Sequence, residues 1–362
     1  MGRQLLSRPV RVEVVVERDG SENGGSSHGG TRGTANGRDE RRVEKRREEE
    51  GTWQRLCECL DIVLVLALTC LACSEVVAVY AIPALRERFL AYGSRATTPR
   101  PAPRHASPKS ATPLAPVLDR LATYRVPHRW FNHFYLLSVL CSLFWAQQYF
   151  FHGPVLRLVV EYAAADPRPA RVPLARIHLA WLLMLAQGLR RLFESTCISK
   201  PSSSSSMWVT HWLLGLFFYA AMSVAVWIEA SQTLQAGDPS AVGLDVFLDP
   251  QALVGTALFH WASVQQHRAH AYLASLKKYT LPTGGAFDLV VCPHYSFECV
   301  IYLGLAIVAA PEQQWVNKTI ICALIFVAAN LGVTAVGTRE WYEARFGKEA
   351  VGKRARMVPF VW

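Results

Sequence analysis

Between residues 60 and 336 the chain is divided into seven apolar runs, each close to the length that crosses a lipid bilayer. A hydrocarbon core of about 30 Å needs roughly twenty helical residues at 1.5 Å each. The runs cover about 60–82, a stretch beginning near Trp130, 174–193, 208–228, a short stretch from Ala252, 290–310 and 315–336. A segment in lipid has no water to bond its backbone groups, so runs of this length are expected as helices. The expected fold is an all-α membrane protein, a bundle of seven transmembrane helices.

Composition agrees. The chain is 51% hydrophobic and 18% charged, whereas a soluble domain carries about a quarter charged residues. The net charge of +10 points to anionic partners such as phospholipid headgroups or a phosphate-bearing cofactor. The basic residues lie between apolar runs and form no separate domain, which argues against nucleic acid. Arg86, Arg88, Arg190, Arg191, Arg268, Lys277 and Lys278 fall in odd-numbered loops, while the fourth loop carries Glu229, Asp238, Asp245 and Asp249. The excess of Lys and Arg on one side places the C-terminus in the cytosol.

Four regions follow. Residues 1–52 are polar and read as a disordered tail; 53–92 hold the first run and its flank. Residues 93–118 form a Pro-rich basic linker, too rich in proline for a helix interior. The six-helix core spans 119–362. No apolar segment follows the first basic residues, so the first run must act as the insertion signal. The nine cysteines lie mostly in or beside apolar runs, where they pack as small hydrophobes.

One stretch interrupts the apolar pattern. Residues 265–302 leave the fifth run through Gln266, His267, Arg268 and His270, pass a basic loop with Pro282 and Gly284-Gly285, and enter the sixth run through His294 and Glu298. Ionisable groups inside a span are functional suspects. His294 and Glu298 are four apart and share a helix face, which Tyr302 continues, and either satisfy each other or serve a ligand. His270 and Lys277, seven apart, would likewise share a face with Gln266. Three basic segments are expected to converge: the Arg190-Arg191 end of the third run, the fifth loop and the C-terminal tail. Glu75, inside the first run, is either an interfacial carboxylate or a buried acid facing the site. No GxGxxG or P-loop is present, and the eleven histidines are too scattered for a di-iron site, so no metal is expected.

The residues of that stretch carry a resemblance. Tyr279-x-x-Pro282-x-Gly284-Gly285-x-Phe287, then Glu298, and the basic ending Lys353-Arg354-Ala355-Arg356 are similar to the steroid 5α-reductase superfamily. Pro127-His128-Arg129-Trp130-Phe131-Asn132-His133-Phe134-Tyr135, Leu189-Arg190-Arg191-Leu192-Phe193-Glu194 and Trp261-Ala262-Ser263 leading to Gln266-His267-Arg268-Ala269-His270 resemble its polyprenal reductase branch. The resemblance implies a seven-helix bundle in the endoplasmic reticulum membrane that holds NADPH from the cytosolic side. It implies chemistry at Glu298, His294 and Tyr279 and cofactor contacts from Arg191, His270, Lys277, Tyr342 and Arg354. The implied reaction saturates the α-isoprene C=C of a long-chain polyprenol or polyprenal on the route to dolichol. An allylic alcohol offers no electron sink for hydride, whereas an α,β-unsaturated aldehyde does. His294, Glu298, Tyr279 and Glu75 are the candidates for the donor at the carbonyl oxygen. A steroid or enoyl substrate, a prenylcysteine methyltransferase and a non-catalytic lipid-binding protein are the alternatives.

Overall fold

The computed structural model describes residues 120, 123–163, 171–199, 205–236, 246, 249–277 and 279–361. The tail 1–52, the first run with Glu75, the linker 93–118 and the cysteines at 57, 59, 70 and 73 lie outside the described residues, as does Lys278.

Six long helices form the frame: α1 (Asn132–Phe150), α3 (Leu174–Phe193), α4 (Val209–Ile228), α6 (Pro250–Ser275), α8 (Pro293–Val308) and α9 (Lys318–Phe346). Shorter helices join them: α2 (Pro154–Ala163), α5 (Ser231–Ala236), α7 (Ala286–Leu289) and α10 (Lys348–Val351). Their starts are written in local chemistry. Asp249 caps α6, accepting from Gln251 N at 3.0 Å, with Pro250 at the first position, where proline loses nothing. Asn317 caps α9, its Oδ1 accepting from Ile320 N at 2.9 Å. Its amide also donates to Ala309 O, so the side chain of this Asn-Lys-Thr sequon is spent inside the fold. Gln148 Oε1 accepts from Val155 N and Leu156 N, turning the chain by 85° from α1 into α2.

Contacts fix the directions of the helices. At one end, buried Arg176 near the start of α3 pairs with Asp249, bonds Gln251 at the start of α6 and donates to Ala310 O just past α8. At the other end, the last turn of α3 meets Gln266 and His270 of α6 and the first turn of α8. Fourteen helical residues between Arg176 and Arg190 separate the two ends by about 21 Å. α3 and α6 thus run in one direction and α8 in the other.

α6 and α8 cross at two glycines. A Cβ on Gly255 would stand 2.7 Å from Gly304 O, and one on Gly304 would stand 2.7 Å from Gly255 O. Small residues let helix backbones approach this closely in lipid. Around the crossing the core fills with Phe218, Trp227, Phe259, Ile301, Leu305 and Phe326. Leu136, Leu140, Leu143 and Phe144 of α1 face outward and exposed. An apolar face of this kind suits lipid and not water.

The structure modifies the sequence expectation in four places. By length and apolarity alone, α4 and α9 are long enough to span a membrane, three segments if the bent α1–α2 pair counts as one. α3 and α6 have the length but end in polar turns, and α8 is a 16-residue apolar helix. The stretch after Gln265, expected as a loop, remains helical to Ser275, because its backbone bonds continue after its hydropathy falls. Lys277 lies past that end, so it does not share a helix face with His270. Finally, a two-stranded ribbon, β1 (Arg125–Pro127) against β2 (Ser206–Trp208), joins the helices.

Candidate active site

The two ends of the bundle differ in chemistry, and the cavity lies at the basic one. It has a volume of about 190 Å3 and is enclosed by α1, α3, α4, α6, α8 and α9. Its polar wall is made by Tyr135, Arg191, Gln266, His270, His294 and Glu298, and its apolar wall by residues such as Phe134, Phe218 and Phe326. Phe131 and Met207, beside the ribbon, close one side. A second chamber of about 20 Å3 lies deeper, against Glu298, Tyr135, Tyr219 and Tyr302.

The polar wall hangs on two anchors. The first is Glu194, placed by a π-type turn (Glu194–Ile198) that continues α3, with Ser199 N donating to Glu194 O. Its side chain is 1% exposed and receives Arg190 on Oε1 and Arg191 on Oε2. His267 Nδ1 lies 2.8 Å from Oε1 and His270 Nδ1 2.9 Å from Oε2. Burial by itself raises such a carboxyl. The hydrogen bond with His270, the charges of Arg191 and Arg190 and the hydrogen bond with His267 more than offset it, holding Glu194 well below the usual carboxylate range. His270 Nδ1 also lies 2.7 Å from Arg191 Nη1. A proton on that nitrogen serves the carboxylate and a lone pair serves the guanidinium, so the ring tautomer selects the bond.

The second anchor is Gln266, 2% exposed. Its Oε1 accepts from Arg190, and its Nε2 donates to Glu298 and to His294 O at 3.3 Å. One amide therefore joins α3, α6 and α8. His294 and Glu298 do not satisfy each other: Gln266 takes the carboxylate, and His294 Nδ1 is buried with no hydrogen-bond partner among the described residues. His294 stands 5.5 Å from the His270 ring and lines the cavity.

The remaining expected site residues are not among those that line the cavity. Tyr279 does not line the cavity. It is 38% exposed, takes φ = 66°, and packs beside Trp341, whose ring centre lies 6.1 Å away, with the Arg345 guanidinium 4.4 Å from its own ring centre. The loop after α6 turns Tyr279 toward α9, apart from the residues that line the cavity. Lys277 is exposed. Arg354 donates to Pro282 O at 2.8 Å, and Tyr342 packs on a small cluster with Val291, Cys292 and Met357. The tail does meet the fifth loop: Val290 and Ala355 form a parallel bridge, and Val291 N donates to Ala355 O at 2.8 Å. Gly284 and Gly285 both have positive φ (91° and 59°) with open space around them, so this loop needs glycine for its backbone.

Three residues of the wall carried no functional weight in the sequence: Tyr135, Tyr219 and Glu194. Tyr135 is one aromatic among many at the start of a run, and Tyr219 one in the middle of another. Glu194 follows two arginines at i−3 and i−4, a spacing that reads as helix-end pairing.

Residues 205–362 match the family model described as 3-oxo-5-alpha-steroid 4-dehydrogenase. The chain is 30% identical over 258 residues to the polyprenal reductase of Caenorhabditis elegans, covering 79% of that protein and 65% of this one. The chain belongs to the steroid 5-alpha-reductase family. Within it, the chain falls in the polyprenal reductase branch: it is also 28% identical over 358 residues to polyprenal reductase 1 of Oryza sativa subsp. indica, covering 98% of that protein and 83% of this one. The polyprenal reductase of Saccharomyces cerevisiae is 28% identical over 254 residues, with 82% of that protein and 70% of this one covered.

Proposed function

We propose that this protein reduces the α-isoprene C=C of polyprenal with NADPH, on the route to the dolichol that supports protein N-glycosylation. The observation that carries the reading is the cavity itself: Glu298, His294, His270 and Arg191 line one side and aromatic and aliphatic residues the other. An isoprenoid headgroup needs such a polar site with an apolar wall.

The residues fit a nicotinamide cofactor. At about 190 Å3 the cavity is smaller than the roughly 300–1,000 Å3 of pockets for drug-sized ligands, so it takes a reactive end and not a whole dinucleotide. The rest of the cofactor would lie over the rim, where Lys277, Arg268, Arg345 and Lys353 are exposed. His294 lines the cavity, and its Nδ1 is a buried polar atom with no hydrogen-bond partner among the described residues. Glu298 is held in place by the Gln266 amide and offers an acceptor. Arg191, tied to Glu194 and beside His270, gives the wall its positive charge, and Arg354 and Tyr342 stiffen the tail that meets the fifth loop. When bound, the cofactor supplies a hydride. The protein excludes water from the cavity, orients the enal and supplies a proton at oxygen.

The wider frame of the proposal is a seven-helix bundle, the first run completing the six helices described, in the endoplasmic reticulum membrane. The basic end with the cavity would face the cytosol, and Glu229, Asp249 and Glu312 the lumen. Cells lacking the protein should accumulate polyprenols while dolichols fall. Wild-type protein should restore dolichol, and Glu298→Ala and His294→Ala should not. Full restoration by both variants would remove the proposed site.

A further inference from the structure

The proposed reduction needs a proton donor at the carbonyl oxygen, and the deep wall of the cavity contains a phenol, Tyr135, to which the sequence attaches no role of its own. Arg191 Nη2 donates to the Tyr135 hydroxyl at 2.5 Å, and the guanidinium carbon lies 4.7 Å from the centre of the Tyr135 ring. Tyr135 is 3% exposed and lines both the cavity and the chamber behind it. A guanidinium can only donate. It therefore occupies a lone pair of the phenol oxygen and leaves the phenolic proton free for another acceptor.

The guanidinium is fixed in turn. Its Nη1 goes to Glu194, so Nη2 is the edge that meets Tyr135. A positive charge held against a phenol compensates the negative charge left when its proton departs. Tyr219 and Tyr302 also line the cavity, yet neither accepts a hydrogen bond from a guanidinium among the described residues. Glu298 is engaged with the Gln266 amide.

We infer that Tyr135, polarised by Arg191 and aligned through Glu194, is the catalytic residue that gives its proton to the carbonyl oxygen of the enal; this rests on the proposed reduction of polyprenal. Saturation adds a hydride at C3, and the loss of its two electrons leaves the nicotinamide oxidised. The C2=C3 pair moves to C1–C2 and the carbonyl pair moves onto oxygen. As it does so the Tyr135 O–H bond breaks and an enol O–H bond forms, leaving a phenolate beside Arg191. The enol then returns its proton to Tyr135 as C2 takes a proton relayed from a solvent hydronium ion, which is left as water, and the carbonyl re-forms. The product is the saturated aldehyde, with one hydride and one proton added.

The test uses full-length protein in lipid nanodiscs with polyprenal carrying 13C at C1. In wild type, with NADP+ present so that no turnover occurs, the carbonyl infrared band should move to lower wavenumber than in bare bilayer. Tyr135→Phe should lose that shift and bind NADPH within about threefold of wild type, while kcat falls about 100- to 1,000-fold, the usual loss for one oxyanion donor. An unshifted band in wild type overturns the inference even if the variant does not fold. Tyr135→Phe turnover within about tenfold of wild type overturns it as well, being far short of that loss. No NADPH oxidation by wild type with polyprenal overturns the proposed reaction and this inference with it, whereas wild-type turnover with an unaffected variant leaves the reaction standing and removes Tyr135 alone.

Discussion

Gln266 and Glu194 decide whether the cavity has a polar wall, and each is a single side chain holding several others. Replacing Glu194 by Gln leaves Arg190 and Arg191 without their buried counter-charge, a loss of about 3–5 kcal/mol for a broken buried pair. Because the folded carboxyl titrates below its usual range, its contribution is complete above the ordinary glutamate value of about 4.3 and declines as pH falls below it. Thermal melts of detergent-solubilised protein should thus show a large gap between wild type and Glu194→Gln at pH 7 that narrows below about pH 4. An equal gap at both pH values would contradict the ion cluster. Part of this site was legible in the sequence. His294, Glu298 and His270 stood out because polar residues are conspicuous in apolar runs. Tyr135 did not, since its role depends on Arg191, 56 positions away, and an aromatic at the start of a span looks the same whether it meets lipid or a guanidinium.

The α6–α8 pair is the element that carries the site, and its closeness rests on Gly255 and Gly304. Any side chain at either position meets the other helix's backbone. Gly304→Val should destabilise by about 1–3 kcal/mol, the usual cost of overpacking, and should displace His294 and Glu298 at the near end of α8. Lower melting temperature together with weaker NADPH binding is the expected result; a change in neither would mean the crossing is slack. Helix positions were readable from hydropathy wherever the run was apolar throughout: 174–193 was drawn with the limits of α3, and 208–228 within a residue of α4. The polar end of α6 was not, because hydropathy reports where lipid stops and not where backbone hydrogen bonding stops. The ribbon of β1 and β2 pairs segments about eighty positions apart, with no local signal for either.

At the scale of the molecule, charge divides the bundle into a basic end with the cavity and an acidic end closed by Arg176, Asp249 and Glu229. The account expects the basic end in the cytosol. In sealed microsomes, added protease should remove a tag placed after Trp362 and spare one placed in the loop 237–248. Residues 1–52 carry none of the groups assigned to the site, so their deletion should leave polyprenal reduction within about twofold of the full chain, the small effect of a change away from buried features. The most direct measurement of the central claim is a turnover assay on the purified protein in lipid, with NADPH and polyprenal, following NADPH oxidation and the lipid product together. The account predicts one saturated aldehyde formed per NADPH consumed, and loss of both in Glu298→Ala. NADPH left unconsumed in the presence of polyprenal, or binding of S-adenosylmethionine in its place, would contradict it.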